Sequence, residues 1–233
     1  MKLISVILFW ALLACIPVDN SHSAALLPKH TNQDDKYGYS PLMRAAEQGQ
    51  LNVVRELLKK GAEVDAKHPN GLTALMLAVH EGHLAVVKLL LNAGANSNVR
   101  VRTTHAGEIS PLIWGIMSRN QLMVQTLLKA GAEVNPRTQA EVTPLIIAAE
   151  SGSLPILKTL LRAGADVKGR GPNDYTALMS ASENSDPEIV RTLIAAGANV
   201  NAKNKFNETA LSLAMKERNT AVVAVLKRAG AKL

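Results

Sequence analysis

The stretch TALMLAVHEGHLAVVKLLLNAGA, Thr73 to Ala95, is restated along most of the chain. Its closing Gly-Ala pair recurs at Gly61, Gly94, Gly131, Gly164, Gly197 and Gly230, in steps of 33, 37, 33, 33 and 33 residues. Its opening recurs in the same steps, as Ser40-Pro41-Leu42, Thr73-Ala74-Leu75, Ser110-Pro111-Leu112, Thr143-Pro144-Leu145, Thr176-Ala177-Leu178 and Thr209-Ala210-Leu211. A fixed period of this length is the signature of a solenoid. Within the unit, Leu75, Leu77 and Ala78 give one apolar stripe; after Gly82, Leu84, Val86, Val87, Leu90 and Leu91 give a second at helical spacing. The unit is therefore a helical hairpin, and two short helices cannot bury both apolar faces alone, so each unit must stack on the next.

The punctuation agrees with that period. Ser or Thr ahead of the first helix can cap its free N–H groups, and Pro in the first turn gives up no needed donor. Gly after the Leu-Leu pair lets the chain leave the second helix through a left-handed residue. The opening triplet, the Gly-led middle turn and the Leu-Leu…Gly-Ala close together resemble the ankyrin repeat, over residues 34–233. The resemblance implies an all-α solenoid of six stacked helix-turn-helix units with protruding hairpin fingers. The first unit has helices expected at Pro41 to Glu47 and Leu51 to Lys59. It has no preceding Gly-Ala, and Arg44, Arg55, Glu56, Lys59 and Lys60 would wet its uncovered outer face. The last carries Lys227 where earlier units have Leu58, Leu91, Leu128, Leu161 or Ile194, a charge that would stop further stacking.

Residues 1–25 stand apart. Met1-Lys2, the apolar run Leu3 to Ile16 and Pro17 with polar residues behind it read as a secretory signal. Two processing routes fit: cleavage near Ser21, Ser23 and Ala25, or lipidation at Cys15, since Leu12-Leu13-Ala14-Cys15 resembles a bacterial lipobox. Cys15 is the single cysteine, so no disulfide is available to the chain. Residues 26–33 read as a linker. The expected location is therefore the periplasm, the envelope surface through a lipid, or the exterior of a bacterial cell.

Three details set the third unit apart. Four extra residues lie within Val99 to Gly107, and insertions of this kind map to one face of a solenoid. Trp114-Gly115 stands where other units have a smaller residue followed in most cases by Ala, which reads either as an indole filling the missing methyl or, if exposed, as an anchor. Arg119 replaces the middle-turn Gly, which puts the turn geometry in question. In the fifth unit, Ser185-Asp186-Pro187-Glu188 reads as a capping box.

No phosphate loop, nucleophile with a nearby base, or paired metal ligands stand out. The two histidines of His80-Glu81-Gly82-His83 are three apart across a turn, so a zinc site is not expected, and His83 sits where ankyrin repeats commonly have a structural histidine. The resemblance implies a non-enzymatic binding module without cofactors, expected to be a monomer. In that family, partner contacts come mostly from the fingers and the inner helices. At one finger position stand Lys67, Arg100, Arg137, Arg170 and Lys203, with Arg102, Lys168 and Lys205 beside them. At the ends of the inner helices stand Glu47, Glu81, Glu150, Glu183 and Glu217, with Met117 in the third unit.

The cations read either as a solvated edge or as a row meeting an acidic protein, with Met117 and Trp114 as apolar anchors. Nucleic acid is disfavoured, because the neighbouring groove is acidic and aromatic residues are only 3% of the chain. The excess of Lys and Arg (26) over Asp and Glu (19) is +7 and survives loss of residues 1–25, where Lys2 and Asp19 cancel. The roles consistent with these features are an inhibitor, immunity protein or stabiliser of another protein, and a secreted effector engaging host proteins. A surface-associated protein holding an anionic polymer or lipid is the remaining alternative.

Overall fold

Each expected first helix begins on its Ser or Thr. The hydroxyls of Ser40, Thr73, Ser110, Thr143, Thr176 and Thr209 accept from the N–H groups of Met43, Met76, Ile113, Ile146, Met179 and Ser212 at 3.1–3.4 Å. Each such cap stabilises its helix by about 1 kcal/mol. Pro41, Pro111 and Pro144 follow at the first helical position, where no donor is lost. The computed structural model of the chain describes residues 32–103, 107–136, 142–184 and 186–232; the signal segment and Cys15 lie outside the described residues.

Among the described residues there are twelve α-helices in successive antiparallel pairs. They are α1 (Pro41–Glu47) with α2 (Leu51–Lys59), α3 (Ala74–His80) with α4 (Leu84–Asn92), and α5 (Pro111–Met117) with α6 (Gln121–Lys129). After these come α7 (Pro144–Glu150) with α8 (Leu154–Arg162), α9 (Ala177–Asn184) with α10 (Pro187–Ala195), and α11 (Ala210–Lys216) with α12 (Thr220–Arg228). The bounds expected for the first pair are those found. The described residues form two compact units: those up to Ser118 together with Gln125–Ala132, and Arg119–Val124 together with those from Glu133 onward.

In the first unit α3 packs between α1 and α5, and α2 packs on α4. Leu42, Leu57, Leu75, Leu77, Leu90 and Ile116 are fully buried there. In the second unit α9 packs between α7 and α11, and α10 between α8 and α12; Leu145, Leu160, Leu178, Leu193 and Leu226 form its core. Ala45, Ala78, Ala148, Ala181 and Ala214 share one buried position of the inner helices. There the absence of a longer side chain lets neighbouring helices approach.

The extra residues of the third pair's finger build a hairpin, β1 (Val101–Thr103) against β2 (Gly107–Ile109). Alternation along it is strict. Val99, Val101 and Ile109 are buried, while Arg100 and Arg102 face the other way and meet Glu108, Arg100 at 3.6 Å and Arg102 as its register partner.

Backbone turns close each pair. The Gly-Ala glycines all have φ between 82° and 94°, the left-handed region. In the middle turn Gly49, Gly82 and Gly152 have φ of 68–78°, and Arg119 and Arg218 adopt φ of 53° and 56° in their places. The doubt about the third turn is thus answered: its geometry is kept, at a steric cost of about 1–2 kcal/mol per non-glycine residue. The capping box expected at Ser185 is corrected. Asp186 is the N-cap of α10, its carboxylate accepting from the Glu188 N–H at 2.8 Å, because Pro187 fixes the first helical residue one position later. The box that does form joins Thr209 and Ser212.

Successive pairs are also tied by a polar side chain four residues after the Gly-Ala glycine. Asp65 accepts from the Asn96 N–H at 3.0 Å, and Asn98 donates to the Gly131 carbonyl at 3.0 Å. Asn135 accepts from the Asp166 N–H and donates to the Gly164 carbonyl, both at 2.9 Å; Asn201 accepts from the Lys232 N–H at 2.7 Å. Asn32 does the same for Glu63 at 3.2 Å. At the remaining junction the position is Lys168, which has no acceptor to offer. Replacing it with the consensus group should therefore help: Lys168→Asn is expected to stabilise the chain by about 0.5–1 kcal/mol, and Asn135→Ala to destabilise it by about 1 kcal/mol. Urea unfolding midpoints read both, and a Lys168→Asn chain no more stable than the natural one would refute the assignment.

Candidate protein-binding surface

The fingers and the ends of the inner helices are where side chains leave the core. In the first unit Lys67 is exposed on the second finger, and Arg100 and Arg102 project from the root of the hairpin beside Glu108. In the second unit Arg170 lies between fingers: its guanidinium donates to the Lys203 carbonyl at 3.2 Å and faces Asp174 at 3.8 Å. The Lys205 N–H donates to the Asn173 carbonyl at 2.9 Å, so these two fingers are joined through backbone. Lys168, Lys203 and Lys205 are exposed alongside. Arg137 lies outside the described residues.

Two sequence expectations change. Trp114 is 3% exposed, packed against the His80 ring at 5.1 Å between centroids, so it is a core residue and cannot anchor a partner. Gly115 beside it is buried too, at the position that is Ala in the other inner helices. The acidic row is also out of register. Glu47 and Glu150 are the last residues of α1 and α7, but α3 and α11 end on His80 and Lys216; Glu81 and Glu217 follow as C-caps. Counted seven residues from the capping Ser or Thr, the shared position reads Glu47, His80, Met117, Glu150, Glu183 and Lys216. Met117 is half-buried there.

Arg44, expected to wet an outer face, instead lies over the Tyr39 ring at 3.9 Å and pairs with Asp35 at 2.9 Å and Glu47 at 3.1 Å. Burial opposes ionisation of Asp35, but the Tyr39 N–H, the Arg44 guanidinium and the Tyr37 N–H outweigh it and hold its pKa below the ordinary value. His83 has the structural role its position implies. Its Nε2 donates to the Glu47 carbonyl at 2.9 Å, and its ring lies on Gly49, where a Cβ would come within 2.6 Å of it. His80 Nδ1 is engaged by Glu81 at 2.7 Å.

Two residues of the second unit were not singled out from sequence. Phe206, at the tip of the last finger, is 58% exposed and stands where other fingers have Asn70 or Asn173. A phenylalanine in a turn position, in a chain with so few aromatics, was the available signal. Tyr175 places its buried hydroxyl beside Glu183. Burial, Glu183, and then Glu208 and Glu150 push its pKa far above the ordinary range.

The comparisons with known proteins fit this geometry. Ankyrin-repeat profiles match residues 32–91, 63–138, 112–204 and 145–233. The chain belongs to the ankyrin-repeat family. An ankyrin repeat domain from Acinetobacter baumannii is 29% identical with a TM-score of 0.76, covering 85% of this chain and 100% of its own. The ankyrin repeat domain of Bcl-3, a member of the IkappaB family, is 28% identical with a TM-score of 0.74, covering 86% of this chain and 89% of its own. No curated protein matches by sequence. Ankyrin-repeat domains generally mediate protein–protein interaction and are typically non-catalytic.

The Tyr175 environment has a pH consequence. A tyrosine whose folded pKa lies above its unfolded value of 10.0 contributes stability that is complete below pH 10 and is lost as pH rises beyond it. Unfolding midpoints measured from neutral pH into the alkaline range are expected to fall more steeply for the natural chain than for Tyr175→Phe. Parallel curves would show that the hydroxyl is not held neutral.

Proposed function

We propose that this ankyrin-repeat chain is an exported bacterial protein of six repeats that binds a folded protein partner with an acidic surface. The partner is an envelope or extracellular protein that it inhibits, protects or stabilises. The observation that carries the reading is the set of exposed finger cations, Lys67 in one unit and Arg170 and Lys203 in the other, held on backbone-tied fingers rather than on mobile tails. The backbone that carries such cations is pre-positioned, which lowers the ordering cost of association and favours rapid, oriented encounter.

Export is supported by the charged start, the apolar run and the Pro17 break of residues 1–25, with Cys15 as the residue that a lipid would carry. Among the described residues no helix is long and apolar enough to cross a membrane, so attachment to the envelope falls to that segment. Its fingers fit a protein surface, and the inner-helix ends, Met117 in one unit and Glu150 and Glu183 in the other, set what can lie beside the fingers of each.

The test is affinity capture from the native envelope fraction, comparing the natural chain with one carrying Arg100→Glu, Arg137→Glu and Arg170→Glu, after circular dichroism confirms that both fold. One stoichiometric protein held by the natural chain and lost by the variant is the expected result. Equal capture by both, or capture by neither, would mean that the fingers are a solvated edge.

A further inference from the structure

We infer that the edge formed by the fifth and sixth fingers is a docking site for an acidic, extended segment of a protein partner, with Phe206 as its apolar anchor. This rests on the protein-binding reading above and assigns it to one place. Four cations gather there. Arg170 is fixed on the Lys203 carbonyl, Lys205 is fixed through its backbone to Asn173, and Lys168 is two residues before Arg170. Among the described residues the ammonium groups of Lys168, Lys203 and Lys205 meet no carboxylate, and Arg170 has only the distant, half-exposed Asp174. At the third finger, by contrast, Arg100 and Arg102 already face Glu108.

Lys168 supplies a second, independent argument. Its position holds an Asp or Asn at the neighbouring junctions, where the side chain ties the next pair's backbone. A lysine there forgoes that tie, and local rules are broken most often where function gains from it. Phe206 makes the third. Its main chain is held by the Asn204 side chain at 2.9 Å, so the ring projects from a fixed turn at little entropic cost to a partner. An exposed aromatic on a held turn, with Lys205 beside it in the chain and Lys203 and Arg170 on the same two fingers, suits an extended segment that alternates carboxylates with an apolar residue.

The charges nearby select against phosphate polymers. Glu208, two residues beyond Phe206, accepts from the Asn204 side chain at 2.9 Å and faces Lys216 at 3.7 Å, so a uniform polyanion lying across these fingers would meet a fixed carboxylate. A segment with carboxylates on one side only would not. Among the described residues of the second unit Phe206 is the one exposed aromatic ring, Tyr37 lying in the first, whereas nucleic acids are held by successive stacking platforms.

The experiment measures binding to the purified protein of three fluorescent probes. One is a short peptide of Asp and Glu with one central phenylalanine; the second is its twin with Lys in place of every acid; the third is a thymidine oligonucleotide of matched charge. The acidic peptide is expected to bind at least about tenfold more tightly than either other probe, and Phe206→Ala to weaken it roughly tenfold. Lys168→Asn is expected to weaken it roughly threefold while raising the unfolding midpoint, opposite changes that no loss of folding can mimic. The inference is overturned by an acidic peptide that binds no better than its basic twin at millimolar concentration. An oligonucleotide bound as tightly, or peptide binding that Phe206→Ala and Lys168→Asn both leave unchanged, would overturn it equally. In the capture experiment, a partner held equally by the natural chain and by Phe206→Ala with Lys168→Asn would leave the protein-binding reading standing and remove this site. Loss of all capture by the natural chain would remove the reading itself.

Discussion

A pair of helices, one of seven or eight residues and one of nine, has two apolar faces and no interior of its own. Everything else in this chain follows from that shortage. Burial of Leu75, Leu77 and Leu90 in one unit, or of Leu178 and Leu193 in the other, is available only where the neighbouring pairs supply the opposite wall. The 33-residue step, the alanines between inner helices and the left-handed Gly-Ala close all serve to bring the next wall into place. The polar ties from Asp65, Asn135 and Asn201 do so on the side the apolar contacts leave open. Stability in such an array is a sum of near-neighbour terms, so a local departure is felt locally.

That locality lets departures be read as choices. Arg119 and Arg218 hold left-handed backbone that glycine would hold more cheaply, and Lys168 leaves a junction without its side-chain tie. The two arginines are cations added where backbone geometry argues against them. Lys168 is added where a hydrogen bond argues against it. Because each loss is confined to one turn or one junction, the fold tolerates it while the surface gains a charge at a fixed place. The fingers around Lys168 are tied to each other, through Arg170 to the Lys203 carbonyl and the Lys205 N–H to Asn173. The Arg170 guanidinium and the backbone that carries Lys203 and Lys205 are therefore held even though the junction behind them lacks its polar tie.

Helix bounds and core were legible in the sequence because each is fixed by short-range chemistry. Ser and Thr caps, first-turn prolines and the Gly-Ala close are set by neighbours three or four residues away, and the first pair falls at its expected residues. What could not be read depended on distance or register. Trp114 was open between core and surface because its burial is decided by His80 from the preceding pair. Glu81 and Glu217 fall one residue beyond the shared position because one residue at a helix end separates the last turn from the C-cap, and charge type alone does not mark that boundary. Arg44 was assigned to solvent because its partners, Asp35 and Tyr39, belong to the finger before it. Phe206 and Lys168 were visible all along as odd residues in a repeated frame.

The central claim is that neighbouring pairs are tied one junction at a time and that the junction behind Lys168 lacks a tie that others have. Residue-resolved amide hydrogen exchange of the natural chain tests it directly. The N–H groups of Glu63, Asn96 and Asp166, each two residues beyond a Gly-Ala glycine and each held by a side chain about thirty residues earlier in the chain, Asn32, Asp65 or Asn135, should be protected. The equivalent N–H of Asn199, which meets no such acceptor among the described residues, should exchange at the rate of an open loop. Protection of Asn199 equal to that of the other three would contradict the account.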